Sequence, residues 1–303
     1  MRIAVTGADG FVGRHLRAHL EARGDVVLAL SGPGSEGENP VDVLDAGALE
    51  AALRPFQLDG LVHLAGVSSV AKSHEAPLET FRTNALGAVN VCTVLRAIAP
   101  KARVVLVGSG EEYGAIAAGV RAREDALLAP TSPYAASKVA AEIAALQFHR
   151  GYGLAIVAAR PFNHLGRGQA PNFVVPSFAR QLVAIRASGR EGVLSVGNLE
   201  PVRDFSHVLD VVAAYRLLLE RGVAGEAYNV CSGSGRTIRS LVDEMIALSG
   251  ASAQIVVDPA RVRPVEIPSL VGDPSKLRAL GWEPRHSVRE ALADAIDESS
   301  VAH

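Results

Sequence analysis

The chain has 303 residues, 49% of them hydrophobic, and a formal net charge of -2 at pH 7. This charge gives no electrostatic reason to expect a nucleic acid or an anionic membrane as partner, so small molecules are the expected ligands. The length exceeds a usual single core, and we expect one large domain with a smaller lobe. Cys92 and Cys231 match no metal or disulfide spacing, which favours a reducing, cytoplasmic location.

Short apolar runs alternate with helical patterns through the first half of the chain. The runs at 2–5, 25–30, 60–64, 102–107 and 154–159 read as buried strands, and helices are predicted at 14–21, 77–98 and 135–150. Strands that are apolar throughout and alternate with helices are typical of a parallel sheet covered on both faces. The sequence therefore predicts an α/β fold with a doubly wound parallel sheet.

The pattern changes after Arg160, where prolines and glycines break the chain before a helix near 177–187. A helix at 208–219 and a strand at 226–231 follow, and these could complete the large sheet. We therefore predict a large domain formed by residues 1–160 and about 204–232. Residues from about 161 to 203 and 233 to 303 would form a smaller, discontinuous C-terminal lobe for the substrate.

A glycine-rich loop lies between the first predicted strand and the first predicted helix. Residues 6–13 read TGADGFVG, which is the context that a dinucleotide-binding turn requires. Gly7 permits a tight turn, Gly10 lets backbone amides approach a pyrophosphate, and Gly13 allows close helix packing, while the helix N-terminus offers partial positive charge. The large domain is thus predicted to be a Rossmann domain that binds NADH or NADPH. The loop residues expected to contact the cofactor are Gly7, Gly10, Phe11, Val12 and Gly13.

The choice between NADH and NADPH stays open in the sequence. The second predicted strand ends in residues 30–33, LSGP, with neither an acidic residue for a ribose diol nor an Arg for a 2′-phosphate. Asp42 could contact the adenine, although a loop carboxylate facing water fits equally well. Small-residue backbone at Leu64, Ala65 and Gly66 is expected to lie against the cofactor.

Tyr134 and Lys138 are four residues apart in a predicted helix and therefore share one face. A free Tyr has a pKa of ~10 and is a weak proton donor at neutral pH, but a fixed ammonium beside it lowers that pKa. We expect Tyr134 to be the general acid at a carbonyl, with Lys138 lowering its pKa.

With Asn84 and Ser109 added to these residues, the chain resembles the extended short-chain dehydrogenase/reductases of the nucleotide-sugar epimerase/dehydratase group, over nearly its whole length. In that family a Ser or Thr four residues before a Tyr-Gly pair is catalytic, and Ser109 has this position in SGEEYG, residues 109–114. The resemblance implies that Ser109 hydrogen-bonds the sugar carbonyl. It also implies that Lys138 holds the nicotinamide ribose and that Asn84 belongs to the cofactor site.

Four further motifs narrow the resemblance to the GDP-sugar branch: RPFNH at 160–164, VRDF at 202–205, YNVCSG at 228–233 and DPARVR at 258–263. The branch implies that Asn163 orients the diphosphate, that Arg203 and Arg263 neutralise it, and that Glu266 accepts hydrogen bonds from the nucleotide ribose. From the residues alone, Arg203 could pair with Asp204 and Arg263 could be a surface cation. The implied activity is NAD(P)H-dependent reduction of the 4-keto group of GDP-4-dehydro-6-deoxy-D-mannose to GDP-6-deoxy-D-mannose (GDP-D-rhamnose), a polysaccharide precursor.

The main alternative is 4,6-dehydration of GDP-mannose. That reaction needs a carboxylate base at C5, and Glu111 lies where the resemblance would put it. Against this alternative, the chain lacks the Arg-rich turn after the second strand that dehydratases use to retain NADP, and Ser109 replaces their usual Thr. Another nucleotide-sugar epimerase or reductase, or a cofactor-binding protein without catalysis, is a lesser alternative. The intact Ser109, Tyr134 and Lys138 argue against loss of catalysis.

The predicted helices at 77–98 and 135–150 carry long Ala-rich faces. In the resembling family such helices pair across a two-fold axis, which implies a homodimer. Ordinary burial against the sheet would produce the same pattern.

Overall fold

The computed structural model describes residues 1–117, 119–261 and 267–301. Arg263 and Glu266, predicted to bind the substrate, therefore lie outside the described residues. The strands are Arg2–Thr6 (β1), Val26–Leu30 (β2), Gly60–His63 (β3), Arg103–Val107 (β4), Ala155–Pro161 (β5), Asn163–Leu165 (β6), Gly192–Val196 (β7), Val202–His207 (β8), Ala227–Val230 (β9), Gly235–Thr237 (β10), Ala253–Val257 (β11) and Ser269–Leu270 (β12).

The helices are Phe11–Ala22 (α1), Ala46–Leu53 (α2), Val70–Glu75 (α3), Pro77–Phe81 (α4), Gly87–Ile98 (α5), Pro133–Tyr152 (α6), Val174–Ser188 (α7), Val208–Arg221 (α8), Ile238–Ser249 (α9), Ser275–Arg278 (α10) and Val288–Val301 (α11). Arg54–Phe56, Gly110–Tyr113 and Pro259–Arg261 form 3-10 turns. Within the described ranges, no helix is both long and apolar enough to cross a membrane.

Six parallel strands form the main sheet in the order β2-β1-β3-β4-β5-β9. One apolar core lies between this sheet and α1 and α8, and a second lies between the sheet and α2, α5 and α6. The strands are apolar throughout because both of their faces are covered in this way. The predicted doubly wound Rossmann sheet is confirmed, and the predicted strand at 226–231 joins it as β9.

The predicted helix at 77–98 is instead divided into α4, a π-helical turn at Arg82–Leu86 and α5. Asn84 lies in the π turn and is buried, and its side-chain amide bonds Val67 and Ser137. A π turn widens the helix locally and is common at functional sites. Apolar spacing alone does not reveal such a turn.

The second half of the chain builds two small sheets. Strands β10, β8 and β12 form one, with β6 also paired to β8, while β7 and β11 form the other. Helices α7, α9 and α11 pack around a third apolar core. The predicted division into residues 1–160 with about 204–232 and about 161–203 with 233–303 stays a proposal, and β8 of the small sheet crosses its boundary at 204.

Asp204 in β8 connects the small sheet to the loops that follow β9 and β12. Its carboxylate is fully buried and accepts hydrogen bonds from the Ser232 backbone N–H (2.8 Å) and hydroxyl (2.6 Å). It also accepts from the backbone N–H groups of Gly233 (2.9 Å) and Gly272 (3.3 Å). Four donors therefore depend on one side chain.

We predict that Asp204→Ala lowers the free energy of unfolding by about 3 kcal/mol, because buried donors left without partners are costly. Urea unfolding of the variant beside the native chain measures this. The control is Asp243→Ala, which removes only an exposed pair with Arg239 and should change stability by less than about 0.5 kcal/mol. Equal effects of the two substitutions would contradict the assignment.

Candidate active site

The first loop forms a tight cradle at the start of α1. Gly7 has a φ of +67°, and Gly10 precedes the helix without a side-chain cap. A Cβ placed on Gly13 would come within 2.2 Å of the Gly7 carbonyl oxygen, and one placed on Gly7 would come within 2.9 Å of the Ala65 backbone nitrogen. Only glycine fits these approaches. The cradle thus exposes the backbone at the helix N-terminus, where Phe11 and Val12 follow, and this suits a pyrophosphate.

The residues after β3 lie against this cradle. The backbone N–H groups of Leu64 and Ala65 donate to the Thr6 hydroxyl, each at 3.2 Å, and the same hydroxyl lies 2.8 Å from His63 Nδ1. Burial, with a smaller effect of nearby Lys138, lowers the pKa of His63 to about 3. His63 is therefore a neutral packing group, and it adds no charge to the cofactor cleft.

Gly66 brings the cofactor cleft next to the predicted catalytic lysine. A Cβ at Gly66 would lie 2.6 Å from Asn84 Oδ1 and 3.6 Å from Lys138 Nζ. The Asn84 amide accepts from the Val67 N–H (2.8 Å) and donates to the Val67 carbonyl (3.1 Å) and the Ser137 hydroxyl (2.8 Å). Asn84 thus holds the loop after β3 against α6. A direct cofactor contact by Asn84 stays a prediction.

Ser109, Tyr134 and Lys138 come together where β4 ends and α6 begins. The Ser109 side chain lies close enough to the Tyr134 phenol to oppose the rise in the pKa of that phenol. Lys138 lies one turn further along α6, and its ammonium donates to the Val107 carbonyl at 2.9 Å. Ser109 and Lys138 are buried and Tyr134 is half-buried. The structure therefore assembles the three residues that the sequence predicts to be catalytic.

Burial dominates the charge states of these groups. It raises the pKa of Tyr134 above its ordinary value, against the opposing effect of the Ser109 side chain, and Glu111 and Glu112 raise it further. It lowers the pKa of Lys138 to about 8, against the opposing effect of Glu112. The prediction of a lowered Tyr134 pKa is wrong. Burial destabilises the charged phenolate by more than the Ser109 side chain stabilises it. Tyr134 is thus held in the protonated form that a proton donor requires.

Two acidic residues, Asp42 and Asp9, lie in loops near the end of β2. Asp42 is exposed, and its carboxylate accepts from the Leu44 N–H at 2.9 Å in a local turn, so its contact with adenine stays a prediction. Asp9 accepts from the Gly32 N–H at 3.3 Å, which brings a carboxylate to the end of β2. The sequence prediction missed Asp9 because this residue comes from the first loop and not from the second strand.

Asn163 and Arg203 lie on neighbouring parallel strands of a small sheet, where Asn163 pairs with Phe205 in register. Asn163 is exposed and Arg203 is half-buried. The Asp204 carboxylate, which could have paired with Arg203, accepts the backbone and hydroxyl donors described above. The diphosphate roles of Asn163 and Arg203 stay predictions. Arg236 of β10 pairs in register with Arg203, and its Nη2 lies 2.6 Å from Glu244 Oε2.

A buried polar group behind Ser109 was also missed. Glu112, Glu142 and Arg160 are each at most 5% exposed, and Arg160 Nε donates to Glu142 Oε2 at 2.9 Å. Arg160 also donates to the Tyr113 hydroxyl (2.8 Å), which in turn donates to Asn229 Oδ1 (2.7 Å). From the sequence, Glu142 in an Ala-rich helix and Glu112 next to Glu111 are expected to be surface residues. Only the fold reveals that they are buried.

Comparison with known proteins identifies the family. The family model described as GDP-mannose 4,6 dehydratase matches residues 4–295. The chain belongs to this family. A GDP-6-deoxy-D-mannose reductase of Pseudomonas aeruginosa is 36% identical over 299 residues, which cover 98% of this chain and 96% of that protein.

Solved structures agree with this membership of the GDP-mannose 4,6 dehydratase family. RMD from Pseudomonas aeruginosa, complexed with NADPH, has a TM-score of 0.90 at 34% identity and covers 100% of this chain and 99% of its own. UDP-glucose 4-epimerase of Thermus thermophilus, in complex with NAD, has a TM-score of 0.89 at 32% identity and covers 99% of both chains. The predicted resemblance to extended short-chain dehydrogenase/reductases is confirmed. Because these relatives differ in reaction, the family by itself does not choose the activity.

Proposed function

We propose that this protein reduces the 4-keto group of GDP-4-dehydro-6-deoxy-D-mannose to GDP-6-deoxy-D-mannose (GDP-D-rhamnose), with NADH or NADPH. The observation that carries the proposal is the grouping of Ser109, Tyr134 and Lys138 at the end of β4, beside a glycine cradle. The 36% identity to a GDP-6-deoxy-D-mannose reductase over 98% of the chain supports the choice of substrate.

The cradle and the residues after β3 would hold the cofactor. Backbone at Gly7, Gly10 and Gly13 would bind the pyrophosphate, and Gly66 and Lys138 would lie at the nicotinamide end. When bound, the reduced nicotinamide supplies a hydride. The Asp9 carboxylate at the end of β2 is placed to accept a ribose hydroxyl and would repel a 2′-phosphate, which favours NADH at this position.

Tyr134 would donate its phenolic proton to the sugar O4 as the carbonyl becomes an alcohol. The Ser109 hydroxyl would hydrogen-bond the same oxygen while negative charge develops on it. The Lys138 ammonium would then lower the cost of the phenolate that Tyr134 becomes, before the phenolate takes a proton from water. The carbonyl thus gains one hydride and one proton.

Because of Glu111, 4,6-dehydration of GDP-mannose is the second candidate function. This half-exposed carboxylate is close enough to Tyr134 to raise the pKa of the phenol. A base that removes the sugar C5 proton would need such a position. The carboxylate of Asp9 at the end of β2, where dehydratases are expected to carry arginines for NADP, argues against this candidate.

The proposal is tested with purified protein, GDP-4-dehydro-6-deoxy-D-mannose and either NADH or NADPH. We expect loss of the reduced-nicotinamide absorbance and formation of GDP-D-rhamnose, identified by NMR. If neither donor is oxidised, GDP-mannose with NADP⁺ is the next substrate, and formation of a 4-keto product would establish dehydration instead. Cofactor binding without turnover of either sugar would indicate a non-catalytic binding protein.

We predict that Tyr134→Phe lowers kcat by about 10²- to 10⁴-fold, because a positioned acid contributes about that factor. The dissociation constant for the cofactor, measured by fluorescence titration, should change little. Tyr152→Phe is the matched control, because Tyr152 lies at the far end of the same helix and is 49% exposed. Turnover near the native rate in Tyr134→Phe would eliminate this residue as the acid.

The rate should also depend on pH through Lys138. A lysine carries its charge below its pKa, so the ammonium is lost as the pH rises through about 8. We predict that kcat/KM falls across that range, as measured from initial rates between about pH 6 and 10. A profile that stays level to the upper end would show that the Lys138 charge does not matter for turnover.

We also propose that the protein is a homodimer paired through α4, α5 and α6. Leu78 and Phe81 of α4, Leu86 of the π turn and Ile143 of α6 are 73%, 36%, 52% and 57% exposed, respectively. Large apolar side chains on adjoining helices are typical of a surface that a second chain covers.

We predict that Leu78→Glu combined with Ile143→Glu converts a dimer to a monomer, because each charge would be buried without a partner. Light scattering measures the mass, and cofactor affinity reports whether the fold is intact. Val257→Glu, which places the same charge at a 55% exposed apolar position in β11, should leave the dimer unchanged. A native chain with the mass of one protomer would end this proposal.

The state of the cysteines supports the cytoplasmic location that we propose. Cys92 and Cys231 are buried and free of disulfides. Burial raises the pKa of the Cys92 thiol to about 12 and raises that of Cys231 as well. Both thiols are thus protonated and unreactive, as expected of structural cysteines in a reducing compartment.

A further inference from the structure

Two carboxyl groups and one guanidinium lie buried behind Ser109, and we call Glu112, Glu142 and Arg160 the rear cluster. Their exposed fractions are 0%, 3% and 5%. Arg160 binds Glu142 through both Nε and Nη2, and its Nε lies 3.6 Å from Glu112 Oε2. One cation is therefore shared by two acids. A buried group of this kind needs further partners to be stable.

Glu112 finds such a partner in the backbone of the candidate catalytic serine. Its Oε1 accepts the Ser109 N–H at 2.7 Å, while the Ser109 hydroxyl accepts the Glu111 N–H at 3.2 Å. A Cβ at Gly108 would lie 2.2 Å from this Oε1, so the approach requires glycine there. The Ser109 backbone is thus held by a carboxyl group that is fully buried.

The charges around Glu112 come from three elements. Lys138, Tyr134 and Glu142 face it from α6, Arg160 faces it from β5, and Tyr113 and Glu111 belong to its own turn. Burial and the neighbouring Glu142 raise the pKa of Glu112 above its ordinary value, while Arg160, the Ser109 N–H and Lys138 oppose the rise. Glu112 in turn favours the charged form of Lys138. Both groups bind the same short segment, because Lys138 Nζ donates to the Val107 carbonyl at 2.9 Å and Glu112 Oε1 accepts the Ser109 N–H at 2.7 Å.

We propose that Glu112 is a positioning residue for the reduction: it orients Ser109 through the backbone and sustains the positive charge of Lys138, without touching the substrate. This role rests on the proposed function of Ser109, Tyr134 and Lys138. It differs from the role of Glu111, which is half-exposed at the cleft. Glu112 supports the site from inside the protein.

Two substitutions separate the two effects of Glu112. Glu112→Gln keeps an oxygen that can accept the Ser109 N–H but removes the charge, whereas Glu112→Leu removes both. We expect Glu112→Leu to lower kcat by about tenfold more than Glu112→Gln, with little change in KM, because a misplaced Ser109 affects the transition state more than binding. Thermal unfolding and cofactor binding measure whether both variants are folded.

The charge effect is measured without catalysis, by NMR titration of protein labelled with ¹³C at lysine Cε. The chain has four lysines, and Lys138→Met assigns the resonance of Lys138. We expect the apparent pKa of Lys138 to fall by about half a unit or more in Glu112→Gln, and the basic limb of kcat/KM to move to lower pH with it. Glu226→Gln, at an exposed residue that pairs with Lys276, should leave the Lys138 resonance unchanged.

An unchanged Lys138 titration in Glu112→Gln would overturn the proposal, as would a native kcat in Glu112→Leu. The NMR titration also separates this proposal from the proposed function. If the native protein fails to reduce the keto sugar, the proposed function is wrong, while the titration still decides whether Glu112 sustains the Lys138 charge.

Discussion

The close approach of Ser109 to Tyr134 is the contact on which the candidate site depends, because it brings the end of β4 to the first turn of α6. Neither residue could hold this geometry alone. The Ser109 backbone is fixed by Glu112, and the helix that carries Tyr134 is fixed by the Lys138 bond to Val107 and by the Ser137 bond to Asn84. The site therefore stands on the carboxyl end of β4, which is an interior strand of the main sheet.

Burial gives these groups the protonation states that reduction requires. The same low-dielectric surroundings raise the pKa of Tyr134 and lower that of Lys138. Tyr134 then keeps a proton to donate, and Lys138 becomes sensitive to the acids around it. The nearby Glu111 and Glu112 act on this balance from two sides, one at the cleft and one inside the protein. The chemistry of the site thus depends on how burial shifts the pKa of each group, as well as on which residues are present.

Sequence patterns predicted the parts of the structure that depend on local spacing. Apolar strands in alternation with helices predicted the doubly wound sheet, and the glycines at 7, 10 and 13 predicted the cradle that the structure contains. The four-residue spacing of Tyr134 and Lys138 predicted a shared helix face. These features are encoded within short segments, where helix and strand periodicity can be read directly.

Features that depend on tertiary burial were not predicted. The π turn holds Asn84, whose amide bonds Val67 and Ser137 from other parts of the chain. Asp9 reaches the end of β2 from the first loop. The predicted direction of the Tyr134 pKa shift was wrong, because the spacing of residues on a helix does not show how far the fold excludes water from them. The roles predicted for Arg263 and Glu266 lie outside the described residues and stay predictions.

The most direct test of the account is the fate of the transferred hydrogen. NADH or NADPH carrying deuterium at both hydrogen positions of nicotinamide C4 would be used to reduce GDP-4-dehydro-6-deoxy-D-mannose, and the product would be analysed by NMR. A reductase built on Ser109, Tyr134 and Lys138 should place deuterium at C4 of the sugar. Deuterium at C6, or a product without deuterium, would contradict direct reduction of the 4-keto group at this site.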